Sequence, residues 1–201
     1  DQSMFNPKLH NLMSLRKQII KRPVITTVEV LVKPVSSKND MFFTGFVHRP
    51  YPPIYLELSR NAQFNSATVI RGTEGGIIPS LRQTGKVHFY HGTGEQDDYY
   101  DITPEDLGIV QSSRAVDIPE EITRKNTKDK IESKVDAVDI AKETIKSGIS
   151  ALSGSDGAML SCIQLGAAII LQRATGNDLG NCSKEVLRVL KSGAALKRME
   201  R

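Results

Sequence analysis

"MFFTGFVHRPYPPIYLELSRNAQFNSATVIRG" (residues 41–72) is the stretch whose reading decides the fold. Its first eight residues, "MFFTGFVH", are apolar and rich in β-forming types, as in a buried strand. Pro50, Pro52 and Pro53 then punctuate the chain, "IYLELSRNAQ" (54–63) has the length of a helix, and "SATVIRG" (66–72) reads as a second strand. Strand, helix and strand within about thirty residues make a βαβ unit, a parallel pair joined by a right-handed crossover. Ligands of such sheets sit beyond the carboxyl ends of the strands, so Thr44, His48, Arg71 and Glu74 are expected on one rim.

Outward from this unit, "GKVHFYHGTGEQDDYYDI" (85–102) has strand-like halves around "HGTGEQ", the mark of a hairpin. Thr103, Pro104, Glu105 and Asp106 then read as a helix start, with a hydroxyl cap, a first-turn proline and acids. Toward the N-terminus, Leu9, Leu12, Met13, Leu15, Ile19 and Ile20 lie on one broad helical face, with Arg16, Lys17, Lys21 and Arg22 around it. "TTVEVLVKP" (26–34) is open to helix or strand because of its β-branched residues. The charged run 124–134 suits a solvated linker or helix entry, and three helices follow over 136–147, 157–173 and 183–200. Gly148, Gly176 and Ser183 mark their ends and starts. The pattern predicts an α/β fold: a mostly parallel sheet with flanking helices and a C-terminal helical portion. Residues 1–123 would hold the sheet and an N-terminal helical segment, and residues 124–201 the helical portion packed on the same domain.

Composition narrows the classes of function. The 201 residues are 39% hydrophobic and 25% charged, enough for a sizeable core, while aromatics are 5% and tryptophan is absent. Base-stacking platforms therefore have little to work with. Cys162 and Cys182 are too few for a disulfide scaffold and read as two reduced thiols, which points to a cytoplasmic protein. The opening residues lack a secretory pattern and an initiating Met, and read as starting partway into a longer polypeptide. "IQLGAAIIL" (163–171), the longest apolar run, falls short of the ~20 residues that cross a bilayer, so no membrane partner is expected. Net charge is +4 overall, but residues 1–91 hold 12 Lys and Arg against 5 Asp and Glu, a balance of +7. That half suits a polyanion, either nucleic acid or a phosphorylated small molecule.

"RGTEGGIIPS" (71–80) carries the sharpest chemical signal. Gly72, Gly75 and Gly76 permit positive φ and close backbone approach, and Glu74 offers a carboxylate, as in a loop that holds a charged ligand. Ile77 and Ile78 stand where acids would be wanted. Elsewhere, His88 and His91 read as hairpin surface, and Glu95, Asp97, Asp98 and Asp101 as a solvated acidic patch. No nucleophile with its base can be assembled by motif. Cys182 lies near a helix start where Ser183 is expected to cap. Val186, Leu187, Val189, Leu190 and Leu196 suit packing or a dimer surface.

Five phrases in order, "NPKLHNLMSLRKQIIKR" (6–22), "TGFVH" (44–48), "VIRGTEGG" (69–76), "YYDITPEDLGI" (99–109) and "EVLRVLKSGAALKRME" (185–200), resemble the anthranilate phosphoribosyltransferases and their glycosyltransferase-family-3 relatives. The resemblance runs from about Asn6 to the end of the chain and matches the later portion of a family member. It implies a phosphoribosyltransferase-like fold shared with nucleoside phosphorylases, and a homodimer associating through helices. It also implies transfer of a phosphoribosyl group from phosphoribosyl pyrophosphate to an aromatic amine, a step of tryptophan biosynthesis, assisted by magnesium. The family's glycine-rich pyrophosphate loop has no counterpart here.

Residue by residue, the family's His-Pro pair falls on Asn6 and Pro7, and its substrate-contacting Arg ten positions after the His falls on Arg16. A second family Arg matches Arg22, although its neighbours become Ile20 and Pro23. The family loop H-G-x-D-G-x-D-E-x-S falls on Arg71 to Ser80, which places its magnesium-holding Asp-Glu pair on Ile77 and Ile78. Isoleucine offers magnesium no oxygen, so the metal is expected only if carboxylates outside that pair supply it. The resemblance then implies a diverged relative in which Arg16, Gly72, Glu74 and Gly75 bind substrate. Lys17, Lys21, Arg22, His48 and Arg71 add anion contacts, and the full-length form takes phosphoribosyl pyrophosphate or a related phosphorylated ligand. The alternative is a non-catalytic relative that binds nucleic acid through its basic first half. A helical interface scaffold is the third reading.

Overall fold

The computed structural model describes residues 2–19, 24–92, 94–123 and 137–200. Short helices come first: α1 (Gln2–Phe5), α2 (Pro7–His10), α3 (Met13–Lys17) and α4 (Ile25–Val28), the last continued by a 3-10 turn over Glu29–Leu31. Strand β1 (Met41–Phe46), helix α5 (Tyr51–Asn61) and strand β2 (Ser66–Arg71) follow, then β3 (Gly85–His91) and β4 (Asp98–Ile102). After a short helix α6 (Glu120–Thr123) come α7 (Ala137–Leu152), α8 (Ala158–Thr175), α9 (Leu179–Lys191) and α10 (Ala194–Met199). The four strands form one sheet in the order β1-β2-β3-β4. The α/β class with flanking helices and a C-terminal helical part is as expected, but the sheet is mixed rather than mostly parallel, because the hairpin strands β3 and β4 pair antiparallel.

Strand directions follow from the hydrogen bonds at the ends. The Asn65 N–H donates to the Asp40 carbonyl at 2.9 Å, so β1 and β2 start together and form the expected parallel pair. The Gly92 N–H donates to the Asn65 carbonyl at 3.0 Å, which brings the end of β3 to the start of β2. β3 therefore runs antiparallel to β2, and the β3–β4 hairpin adds a second antiparallel pair.

Several local expectations shift. Helix α5 begins at Tyr51 and takes Pro52 and Pro53 into its first turn, where a missing N–H leaves no bond unmade. Of "TTVEVLVKP" (26–34), residues 26–31 are helical, and the chain is extended from Val32. The described residues within 7–35 form short helices, with Leu12, Met13, Leu15 and Ile19 exposed. Thr103 makes no capping bond; its hydroxyl meets that of Thr84 at 3.1 Å, and the next residues form a 3-10 turn over Pro104–Leu107. Gly148 lies inside α7, whereas Gly176 does close α8, at φ 73°. Helix α9 starts at Leu179, not Ser183: the Asp178 carboxylate accepts the Asn181 N–H at 2.9 Å, and Ser183 is buried, accepting from Gln164 at 2.9 Å. The charged run 124–134 lies outside the described residues.

The chain divides into two compact units. One comprises Asp1–Thr44, His48–Val69 and His88–Asp98. Its buried side chains include Phe42, Tyr55, Leu56, Phe64, Val69 and Tyr90, with the Phe42 ring 5.2 Å from Phe64 and 6.5 Å from Tyr55. The Tyr90 hydroxyl donates to the Phe64 carbonyl at 3.0 Å, and burial pushes its pKa up. Arg60 lies over the Tyr90 ring and pairs with Asp97, so part of the acidic patch is neutralised.

The other unit comprises Gly45–Val47, Ile70–Val87 and Tyr99–Arg201. Its core gathers Ile70, Leu81, Val87, Ile102, Ile109, Cys162, Leu165 and Ile169. Helix α8 has the length and apolar composition of a bilayer-crossing helix, yet Leu160, Leu165, Ala168 and Ile169 are buried inside this unit, which makes it a core helix. Cys162 and Cys182 are free and buried, and burial pushes the Cys162 thiol up. The Tyr100 hydroxyl donates to Gln172 Oε1 at 3.0 Å, and burial raises its pKa to about 12. A folded pKa above the ordinary 10 gives stability that is complete below pH 10 and is lost as pH rises toward 12. Denaturant midpoints should fall across that window, and fall less in Tyr100→Phe.

Candidate functional site

The loop after β2 is closed on itself. Gly72 bridges antiparallel to Pro79, and the Thr73 N–H donates to the Ile78 carbonyl at 2.9 Å. Inside this closure, the Gly76 N–H returns to the Thr73 carbonyl at 3.0 Å, forming a 3-10 turn over Thr73–Gly75. Only Gly75 uses positive φ, at 81°. Gly72 has an ordinary φ of −85°, and its requirement is steric: a Cβ there would lie 1.4 Å from the Gly76 carbonyl oxygen. A Cβ on Gly45 of β1 would meet the same oxygen at 2.1 Å. The glycines let three backbone segments approach more closely than any side chain allows.

Ile78 turns inward and packs on the core of its unit, while Ile77 stays 40% exposed. Neither supplies an oxygen, so the residues do not fit the magnesium that the family resemblance implies at this loop. Among the described residues no group of three or more His, Cys, Asp or Glu gathers elsewhere.

A small polar cleft lies beside the loop. Arg71, Thr73, Ser80, Gln83, Thr84 and Arg114 line it, and its volume is about 50 Å³. Arg71 arrives as the exposed last residue of β2. Arg114 is brought in because the Leu81 N–H donates to its carbonyl at 2.9 Å, tying the segment after Ile109 to the loop exit. Ser80 is held by accepting the Arg82 N–H at 3.2 Å. Among the described side chains, none that lines the cleft is a carboxylate. The Thr73 hydroxyl is buried and has no hydrogen-bond partner.

The remaining sequence-derived candidates sit elsewhere. Arg16 is engaged: its Nη1 and Nη2 donate to Glu29 Oε2 and Oε1 at 2.6 and 2.7 Å, a bidentate pair that fills the guanidinium fork. The His48 ring rests 6.1 Å from that of Tyr51. Lys33 pairs with Asp40 at 2.8 Å, and that hydrogen bond holds the Asp40 carboxyl below its usual range. Together with Arg60, three cations of the basic first half are thus committed to internal pairs, which weakens the case for a nucleic-acid surface. Lys21 and Arg22 lie outside the described residues, as do the side chains of Lys17 and Glu74. Of the candidates, the fold gathers Arg71, Gly72 and Gly75 in one loop. Sequence reasoning missed Thr73, Gln83, Thr84 and Arg114, which no local pattern links.

No protein-family model matches the chain. An "Uncharacterized protein" of Aquifex aeolicus (strain VF5) is 35% identical over 79 residues, covering 39% of this chain and 25% of that protein. Two solved structures of anthranilate phosphoribosyltransferase from Saccharomyces cerevisiae superpose with a TM-score of 0.68. One is a variant with Mg bound, 14% identical, and the other is a complex with 4-fluoroanthranilate, 15% identical. Each match covers 96% of this chain and 50% of the solved chain, so this chain spans half their length. The likeness establishes a phosphoribosyltransferase-like fold.

Proposed function

We propose that this chain supplies one wall of a site for phosphoribosyl pyrophosphate or a related phosphorylated ligand, in the full-length protein. The loop of residues 71–80 shapes the phosphate rim through its backbone, and magnesium is not held there. The observation that carries this reading is the loop's glycine-dependent closure around Gly72 and Gly75, with Ile77 and Ile78 where the family resemblance would put metal donors. The phosphoribosyltransferase-like fold supports the choice of ligand, and the reading concerns binding rather than turnover. Arg16 takes part only if Glu29 releases it.

Calorimetry of the full-length protein with phosphoribosyl pyrophosphate, in magnesium and again in excess chelator, tests the proposal. The expected result is saturable binding with the same affinity in both. Absence of binding in both, or binding only with magnesium, would overturn it.

A further inference from the structure

We infer that the outer edge of β1, with the groove it shares with residues 30–35, seats a further strand contributed by the part of the full-length polypeptide that lies outside residues 1–201. The pairing needs no ligand, so it stands or falls apart from the phosphate site proposed above.

The two edges of the sheet are built differently. β4, at one edge, carries Asp98 and Asp101, and Lys86 reaches Asp101 at 3.4 Å. Charges of this kind keep an edge from pairing with another strand. β1, at the other edge, reads "MFFTGF", with neither a charge nor a proline. A strand of that composition is a template for pairing, and folded proteins keep such edges covered.

Backbone direction shows which groups this edge offers. The Asp40 carbonyl accepts the Asn65 N–H on the β2 side. The alternation of a strand then turns the N–H and C=O of Met41 and Phe43 away from β2, to the side where no described strand lies. Once water is kept out, such groups need a backbone partner.

The groove alongside suits an extended apolar segment. Its volume is about 410 Å³, and Met41 and Phe43 line it together with Val30, Val32 and Val35. Val30 is 45% exposed and Val35 76%, so this lining has apolar surface still to bury. Lys33 and Asp40, its ionisable lining residues, pair with each other at 2.8 Å and leave no net charge to attract a polar ligand. A strand laid there covers these side chains while its backbone meets the groups of Met41 and Phe43.

The occupant follows from the sheet and from the fold. Many mixed sheets carry an antiparallel strand at the edge of an otherwise parallel array. Here the antiparallel hairpin of β3 and β4 lies on one side, and the parallel pair of β1 and β2 ends bare on the other. The solved chains that share this fold are about twice as long as the part matched here, so half of such a fold lies outside the residues that superpose. That half is the source of the added strand.

Amide hydrogen exchange of the full-length protein, read residue by residue, tests the pairing. The N–H groups of Met41 and Phe43 should exchange on the order of a hundredfold or more slower than in an unfolded chain, and equally so across a wide range of protein concentration. Phe43→Pro, which removes one outward N–H, should lower the melting temperature well beyond Phe43→Ala, because a bare edge tolerates proline and a paired strand does not. Exchange near the unfolded rate, or equal melting of the two variants, would overturn the inference. Protection that fades on dilution would also defeat it, in favour of a second copy of the chain seated on β1.

Discussion

Gly72→Ala is expected to destabilise the protein by about 3 kcal/mol or more and to abolish phosphoribosyl pyrophosphate binding, although it adds a single methyl group. The backbone at Gly72 is one that alanine adopts freely, so no conformational penalty contributes. The cost is collision: the new carbon would sit 1.4 Å from the Gly76 carbonyl oxygen and 2.3 Å from its carbonyl carbon. Relief requires moving the backbone of Gly72 or Gly76, inside the turn that the Gly72–Pro79 bridge and the Thr73 to Ile78 bond close. Thermal melts alongside Gly148→Ala give the contrast. Position 148 lies within helix α7 with nothing near a new Cβ, and alanine there should stabilise by about 1 kcal/mol through helix propensity. A Gly72→Ala protein that melts like wild type would show that the loop does not close as described.

Leu165→Ala should have a comparable effect for the opposite reason, a void in place of an overlap. Leu165 is fully buried in α8 and belongs to the cluster that joins Ile70 and Val87 of the sheet to Ile169. Truncation of such a leucine costs about 2–5 kcal/mol, through lost transfer energy and an incompletely collapsed cavity. At this chain length the melting temperature should drop by roughly 5–15 °C. Ile145→Ala, on the 61% exposed side chain of α7, should change stability by less than about 0.5 kcal/mol. Equal losses at the two positions would contradict the assignment of α8 as the core helix.

The elements legible in sequence were those with a strong local cause. "MFFTGFVH" and "SATVIRG" became strands because β-branched and aromatic residues leave little alternative, and the turn residues of "HGTGEQ" made the hairpin plain. Gly176 announced the end of α8 by its left-handed geometry. The start of α9 is obscured in sequence because "LGNC" reads as loop and Ser183 has a capping hydroxyl, whereas in the fold Asp178 satisfies the N–H of Asn181. The broad apolar face of residues 9–20 suggests a longer helix than the described residues there form. At the site, Arg71 and the glycines of its loop could be read locally. Arg114 could not: it reaches the cleft through one backbone bond to Leu81, thirty-three positions away, and no spacing rule encodes that. Arg16, singled out by resemblance, had its fork filled by Glu29, thirteen positions on.

Cys162 and Cys182 sit sealed on α8 and α9, helices stitched together by the buried Gln164 to Ser183 bond. An alkylating reagent reaches these sulfurs only in molecules that have momentarily opened around α8 or α9, so labelling speed becomes a stopwatch for that opening. In a protein without tryptophan, the paired thiols stand in for the fluorescent reporter that the chain lacks.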